Sequence, residues 1–228
     1  MNKEGTLKAV ADSGLPPRLK IYLAGFISRE VSSPLRRALK ADPAGLLGNM
    51  KSLLSSAAAV LGLPEEGLLS ATGFDYNNFA ADRLEAALAE LMAVSLLAGE
   101  GFSDIKVLSP GRSRGADLSA SLGGETFAFE VRCVNGESSL FAAGKDPVGF
   151  LKSVCLKKIR QARISVKKKN ARRAGVFIVV NPAGFVQLAE AGELRELARR
   201  VYEALGEPAG EHVCLASGGG AAFHPPFR

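Results

Sequence analysis

The sequence of 228 residues predicts an α/β fold carried behind a helical N-terminal segment. Three observations lead there. Between Asn77 and Val180 the apolar spacing follows the order helix, three short strands, helix, strand. The stretch Gly175 to Val180 is apolar throughout from Val176 on, as a parallel strand covered on both faces requires. Residues 1–80, by contrast, carry only helical punctuation.

In that first segment each helix start is marked by a proline, placed where the first turn lacks a hydrogen-bond acceptor for the missing N–H. Leu15-Pro16-Pro17 opens one helix, Ser33-Pro34 a second and Asp42-Pro43 a third. The third carries Leu46, Leu47, Met50, Leu53, Leu54 and Ala57, an i, i+3, i+4, i+7 stripe that needs one buried face. Leu61-Gly62-Leu63-Pro64 ends it. No catalytic constellation stands out in residues 1–78, which read as a helical extension packed on the α/β portion or as a recognition subdomain.

Asn77 or Asn78 is suited to cap the next helix, expected to run to about Ala98 and stop at Gly99. A strand from Ile105 to Leu108 comes after the Gly101-Phe102 turn. The glycine loop from Ser109 to Gly115 contains Arg112 and Arg114. Strands Asp117–Leu122 and Glu125–Val134 flank a Gly123-Gly124 hairpin turn. A basic helix is expected over Val148–Lys169, a further helix over Leu188–Leu205 and a strand over His212–Ala216. Residues 217–228, glycine-rich at their start, read as a loose tail, so the expected domain spans 79–216.

Charge is unevenly spread. Residues 81–146 hold 10 acidic and 6 basic side chains, whereas residues 147–228 hold 14 basic and 6 acidic. Ten of those 14 lie between Lys152 and Arg173, with no acid among them. Such a pattern suits a polyanion, or else an exposed helix solvated by Lys and Arg. No uninterrupted apolar run approaches the ~18 residues of a membrane span, and Met1 to Gly5 lacks the plan of a signal peptide, so a cytoplasmic protein with no membrane partner is expected. Cys133, Cys155 and Cys214 have neither the number for a disulfide framework nor zinc-ligand spacing.

Three carboxylates then stand apart. In the strand from Glu125, Glu130 shares a face with Ala128 and Arg132 and sits among bulky apolar neighbours in sequence; a buried carboxylate there needs a cation, either a metal ion or an arginine such as Arg132. Asp117 begins the preceding strand, where it could equally satisfy local backbone amides. Glu90 has Ala86, Ala87, Ala93 and Val94 one turn to either side, so it faces inward. Glu85, with Asp82 three residues before it, reads as solvated. A helix carboxylate, a strand-start carboxylate and a mid-strand carboxylate form an oxygen-rich set suited to Mg²⁺ or Mn²⁺. The only histidines, His212 and His224, lie near the C-terminus, which leaves little for Ser-His-Asp or Cys-His chemistry, and no phosphate-cradling glycine motif occurs.

The stretch from Glu90 to Val134 resembles the core of PD-(D/E)XK nucleases, the restriction-endonuclease-like superfamily, and most of all the archaeal Holliday-junction resolvases. Glu90 precedes Gly101-Phe102 by eleven residues, Ala116-Asp117 stands where the family has Pro-Asp, and Glu130-Val131-Arg132 stands where it has Glu-X-Lys. The resemblance covers residues 79–180. It implies an αβββαβ core, with a mixed central sheet flanked by helices. It further implies that Asp117, Glu130 and the Val131 carbonyl ligate Mg²⁺ or Mn²⁺, with Glu90 on a second ion or a bridging water. Lys158 and Gln161, one turn apart on the basic helix, are the candidates for the family's phosphate-facing helix residues; with Lys157, Arg112 and Arg114 they make up the expected nucleic-acid contacts, or else an ordinary exposed helix face. The departure is Arg132. Arginine can hold a phosphate but does not give up its proton, so either the metal-bound water suffices, or a lysine of the next helix reaches in, or catalysis is lost. The implied activity is that of a metal-dependent endonuclease on DNA, of a restriction, repair or mobile-element kind, with a homodimer as partner state. The alternative is a nuclease fold that no longer cuts and serves as a nucleic-acid-binding or assembly module.

Overall fold

Side-chain caps or prolines open the helices of the first 80 residues. The computed structural model describes residues 2–29, 32–80, 82–108, 116–134, 146–169, 171–180, 191–217 and 220–227. Asn2 accepts from the Gly5 amide at the start of α1 (Lys3–Asp12), and Pro17 opens α2 (Pro17–Ser28). Ser33 accepts from the Arg36 amide to begin α3 (Pro34–Ala41), and Asp42 accepts from the Gly45 amide to begin α4 (Pro43–Leu61). Gly62, with φ 64°, ends α4 in the left-handed conformation that a glycine adopts without a Cβ penalty. A short α5 (Glu65–Ala71) comes next. Leu46, Leu47, Met50, Leu53, Leu54 and Ala57 are all buried, as their spacing predicts. By length and composition α4 is the one described helix that could cross a membrane; here that stripe belongs to the interior core.

The next helix, α6 (Arg83–Gly99), starts later than Asn77 or Asn78 would have it. Asp75 Oδ1 accepts from the Asn77 amide at 2.9 Å, and Asn78 Oδ1 accepts from the Ala80 amide at 3.1 Å. Both side chains therefore bond the backbone two residues ahead, the local arrangement with which Asx residues compete against helix. Asp82, in the left-handed region at φ 76°, makes the corner into α6.

Among the described residues six strands form one sheet in sequential order: β1 (Ser103–Val107), β2 (Leu118–Leu122), β3 (Glu125–Val134), β4 (Arg173–Val180), β5 (Glu211–Ser217) and β6 (Gly220–His224). The first three are antiparallel neighbours, β3, β4 and β5 run parallel, and β6 returns antiparallel. Gly123 and Gly124, both at positive φ, supply the tight turn between β2 and β3. The parallel crossovers are made by α7 (Pro147–Lys169) and α8 (Ala191–Ala204). The start expected for the last helix, Leu188, lies outside the described residues.

Strand alternation divides the core between the two faces. Phe127, Phe129, Val131, Phe177, Val179 and Cys214 join the apolar residues of α1–α6 in one cluster. Val134, Val176, Ile178, Val180, Val213 and Leu215 meet α7 and α8 on the other side. The N-terminal helices thus share a core with one face of the sheet.

Residues 220–227 correct the expectation of a loose tail. Gly220–His224 pairs along β5 from Ser217 to Val213. Beyond it, Phe227 packs its ring 4.8 Å from that of Phe102 and 4.6 Å from that of His212. Because Ser217 and Gly220 are direct partners, the part of the chain that reads as slack in the sequence leads into an edge strand.

Candidate functional site

Asp117 stands immediately before β2, where the Leu118–Phe129 pairing begins. Its amide donates to the Phe129 carbonyl at 2.9 Å, and its Oδ2 accepts from the Val131 amide at 2.7 Å. The aspartate is held from both ends by β3. Glu130 lies between those two β3 residues and is 2% exposed. It faces α7, which presents Leu151, Cys155, Ile159 and Ala162 as its buried stripe. Lys158 emerges at the edge of that stripe, 22% exposed, and its Nζ donates to Glu130 Oε2 at 2.8 Å. The other oxygen, Glu130 Oε1, is buried and has no hydrogen-bond partner among the described residues.

Glu90 reaches the same place from α6. Burial pushes its carboxyl up to about 8, and the neighbouring charges of Asp117 and Glu130 add to that rise while Lys158 opposes it. Glu130 is pushed up to about 7, again first by burial and then by Asp117, against the bond from Lys158. Asp117 is raised by burial, with the Val131 amide and Lys158 pulling the other way. Three carboxyls and one ammonium are therefore electrostatically coupled in one low-dielectric site. All three acids hold protons more tightly than they would in water, the signature of too little positive charge for the number of carboxylates.

Neither family models, nor curated proteins, nor solved structures yield a match to this chain.

The structure gathers four of the residues singled out in the sequence, Glu90, Asp117, Glu130 and Lys158, and leaves others elsewhere. Arg132 is exposed on β3, and the ammonium bonded to Glu130 belongs to Lys158. Val131 enters the site through its amide. Lys157 is exposed on α7, and Gln161 is half-buried one turn beyond Lys158. Arg112 and Arg114 lie outside the described residues.

Glu85 corrects its sequence reading as a solvated residue: it is 1% exposed, and burial raises its carboxyl above the ordinary value. The missed signal is that α6 is apolar nearly all round, which places a helix between two layers. Near Glu90, a recess of about 140 Å³ between the 72–78 segment and α6 is walled by Phe74, Asp75, Asn78, Arg83 and Glu90.

The donor set suits a hard cation. The groups are carboxylate oxygens, the preferred partners of Mg²⁺ and Mn²⁺, and Glu130 Oε1 is an orphaned buried oxygen that a cation would satisfy. As the side chains stand, no three Asp, Glu, His or Cys groups among the described residues close around a single ion position. Lys158 supplies the positive charge on Glu130.

Proposed function

We propose that this chain is a Mg²⁺- or Mn²⁺-dependent endonuclease that hydrolyses phosphodiester bonds in DNA, built on a PD-(D/E)XK-type core. The observation that carries the reading is the juxtaposition of Asp117, Glu130 and Lys158, two strand carboxylates and a helix lysine, with Glu90 coupled to both acids. The observed order α6, β1, β2, β3, α7, β4 and the mixed sheet agree with it.

On this reading Asp117 and Glu130 hold the ion together with the Val131 carbonyl, and Glu90 faces a second ion or a bridging water. Once bound, the ion supplies Lewis-acid polarisation of the scissile phosphate. Lys158, which bonds Glu130 in the metal-free chain, would with an ion on Glu130 be free to turn its ammonium to a non-bridging phosphate oxygen and offset the negative charge there. Glu90, beside Asp117 and Glu130, would face the attacking water from α6. The exposed basic side chains of α7, among them Lys157 and Arg160, hold flanking phosphates.

A second reading rests on one specific feature. The Lys158 ammonium already neutralises Glu130, the arrangement expected of a nuclease fold that binds nucleic acid without cutting it. Incubating supercoiled plasmid, a branched junction, single-stranded DNA and RNA with Mg²⁺, Mn²⁺ or EDTA separates the two. Metal-dependent cutting abolished by Asp117→Ala and by Glu130→Ala supports the nuclease. Salt-sensitive binding without cutting, retained by both variants, supports the silent module.

A further inference from the structure

The recess beside Glu90 joins the carboxylate site to the N-terminal helices. Arg83, Ala86, Ala87 and Glu90 stand at i, i+3, i+4 and i+7, so they share one face of α6, and all four line the recess. Arg83 and Glu90 are seven residues apart, ~10.5 Å of helix rise at ~1.5 Å per residue. Phe74, Asp75 and Asn78 form the facing wall. That wall is held from α2. The Tyr22 ring stacks on Phe79 at 5.1 Å and meets Phe74 edge-on at 4.9 Å, and its hydroxyl donates to the Asn78 carbonyl at 3.5 Å. Glu90, which feels the charges of Asp117 and Glu130, is thus common to the recess and the candidate site.

Several polar groups of the lining stand ready for a ligand. Arg83 is exposed, and its guanidinium has neither an ion pair nor a hydrogen bond among the described residues. Asp75 Oδ1 is taken by the Asn77 amide and side chain, and Asn78 Oδ1 by the Ala80 amide. Those bonds hold both side chains still and leave Asp75 Oδ2 and the Asn78 amino group unpartnered among the described residues. A pocket for phosphate is lined by cations and N–H donors. Here two carboxylates share the lining with one guanidinium and one amide, over the apolar surface of Ala86, Ala87 and Phe74. That mixture matches a nucleobase, which has apolar faces and both donors and acceptors along its edges. Guanine in particular offers O6 and N7 to an arginine and its 2-amino group to a carboxylate. At about 140 Å³ the recess has the share of about five waters, at ~30 Å³ each, which is room for one base and not for a base pair.

We infer that the recess between α6 and the 72–78 segment is a pocket for one unpaired guanine of a nucleic-acid strand, with Arg83 as its specificity-determining residue. The inference rests on the nucleic-acid reading above and deepens it. Base contacts specify where phosphate contacts only position, so the pocket selects which strand segment lies against Glu90. It also gives the N-terminal helices a role, since Tyr22 of α2 holds the wall that faces Arg83. A duplex has to give up a base pair before a base can enter, so single-stranded and branched substrates are favoured.

The test uses the full chain and a short, fluorescently labelled oligothymidine strand, in EDTA so that nothing is cut, over a series of salt concentrations. The strand carries one central guanine, adenine, cytosine or abasic residue, beside the all-thymidine strand. The parent chain should bind the guanine strand about 5-fold or more tighter than the others, the discrimination expected of one good bidentate contact. Arg83→Ala, which removes an exposed side chain, and Ala86→Leu, which fills the recess, should each bring that ratio close to one. The log–log salt slope of Arg83→Ala should match the parent's. Equal binding of all the strands by the parent, a preference for another base, or a guanine preference that survives in both variants overturns the pocket. Weakening of Arg83→Ala on every strand alike, with the slope reduced by about 0.7, is the mark of a phosphate contact and overturns it too. Tight binding of free deoxyguanosine without a preference among the strands would assign the recess to a free nucleoside and also overturn it. In Mg²⁺ the cuts should fall beside the guanine. Guanine preference without cutting supports the pocket and removes the nuclease, whereas cutting without base preference keeps the nuclease and removes the pocket.

Discussion

Lys158 Nζ lies 2.8 Å from Glu130 Oε2, joining the middle of α7 to the middle of β3 through a glutamate that has almost no access to water. The lysine stem runs along apolar surface while its ammonium compensates a carboxylate that would otherwise be buried alone. Removing one member is therefore unlike removing both. Lys158→Met should destabilise the fold by about 2–4 kcal/mol at pH 8, because Glu130 is left either charged without a partner or obliged to take up a proton. Lys158→Met/Glu130→Gln should recover much of that loss. Thermal or urea melts of the three proteins check it, and a double variant no more stable than the single one would show that the pair does not interact energetically.

The carboxyl cluster also predicts a pH dependence with a definite sign. Glu90 and Glu130 titrate at about 8 and about 7 in the folded chain against an ordinary value of 4.5. Between those limits the folded state binds protons that the unfolded state has released. The stability linked to them is complete below pH 4.5 and is lost as pH rises through 7 and 8. Metal-free protein should accordingly melt at a lower temperature at pH 8.5 than at pH 6 on account of these two groups. Glu90→Gln should flatten that trend, and melts across the pH range measure it.

Divalent metal should act in the opposite direction. A cation competes with protons for the same oxygens, so Mg²⁺ or Mn²⁺ binding releases protons and tightens as pH rises. Calorimetry in two buffers of different ionisation enthalpy reads the proton release directly. The expected outcome is net release near pH 7, diminished in Glu130→Gln. Binding that is independent of pH from 6 to 8.5 would mean that the metal does not engage these carboxylates.

How much of this was legible in the sequence depended on whether a residue's environment was set by near neighbours. Glu90 announced its inward face through Ala86, Ala87, Ala93 and Val94, all within one turn, and the hairpin around Gly123-Gly124 was set by two adjacent residues. The αβ alternation from α6 to β4 was legible for the same reason. The α6 start was not, because Asn78, one of the two expected caps, accepts from the Ala80 amide instead, and Asn77, the other, donates its own amide to Asp75. Glu85 was misread because what buries it is the N-terminal helical layer packed on α6, which no neighbour within a turn announces. Phe227 gave no sign at all, since its contacts with Phe102 and Phe127 come only after β6 has brought the chain back to the sheet.

Gly175 tests the packing beneath the site. It pairs with Phe129 across β3 and β4, and a Cβ at this position would overlap the Phe129 ring. Phe129 is fully buried and cannot swing away, and its carbonyl is the acceptor for the Asp117 amide. Gly175→Ala should therefore cost about 1–3 kcal/mol through overpacking. It should also disturb Asp117 more than Glu90, since only Asp117 is hydrogen-bonded to the displaced strand. Urea denaturation checks the first expectation. Amide exchange at Val131, whose N–H is held by Asp117 Oδ2, checks the second. Faster exchange there with the α6 amides unchanged is the expected result, and uniform acceleration throughout would mean that the glycine supports the whole core rather than this strand.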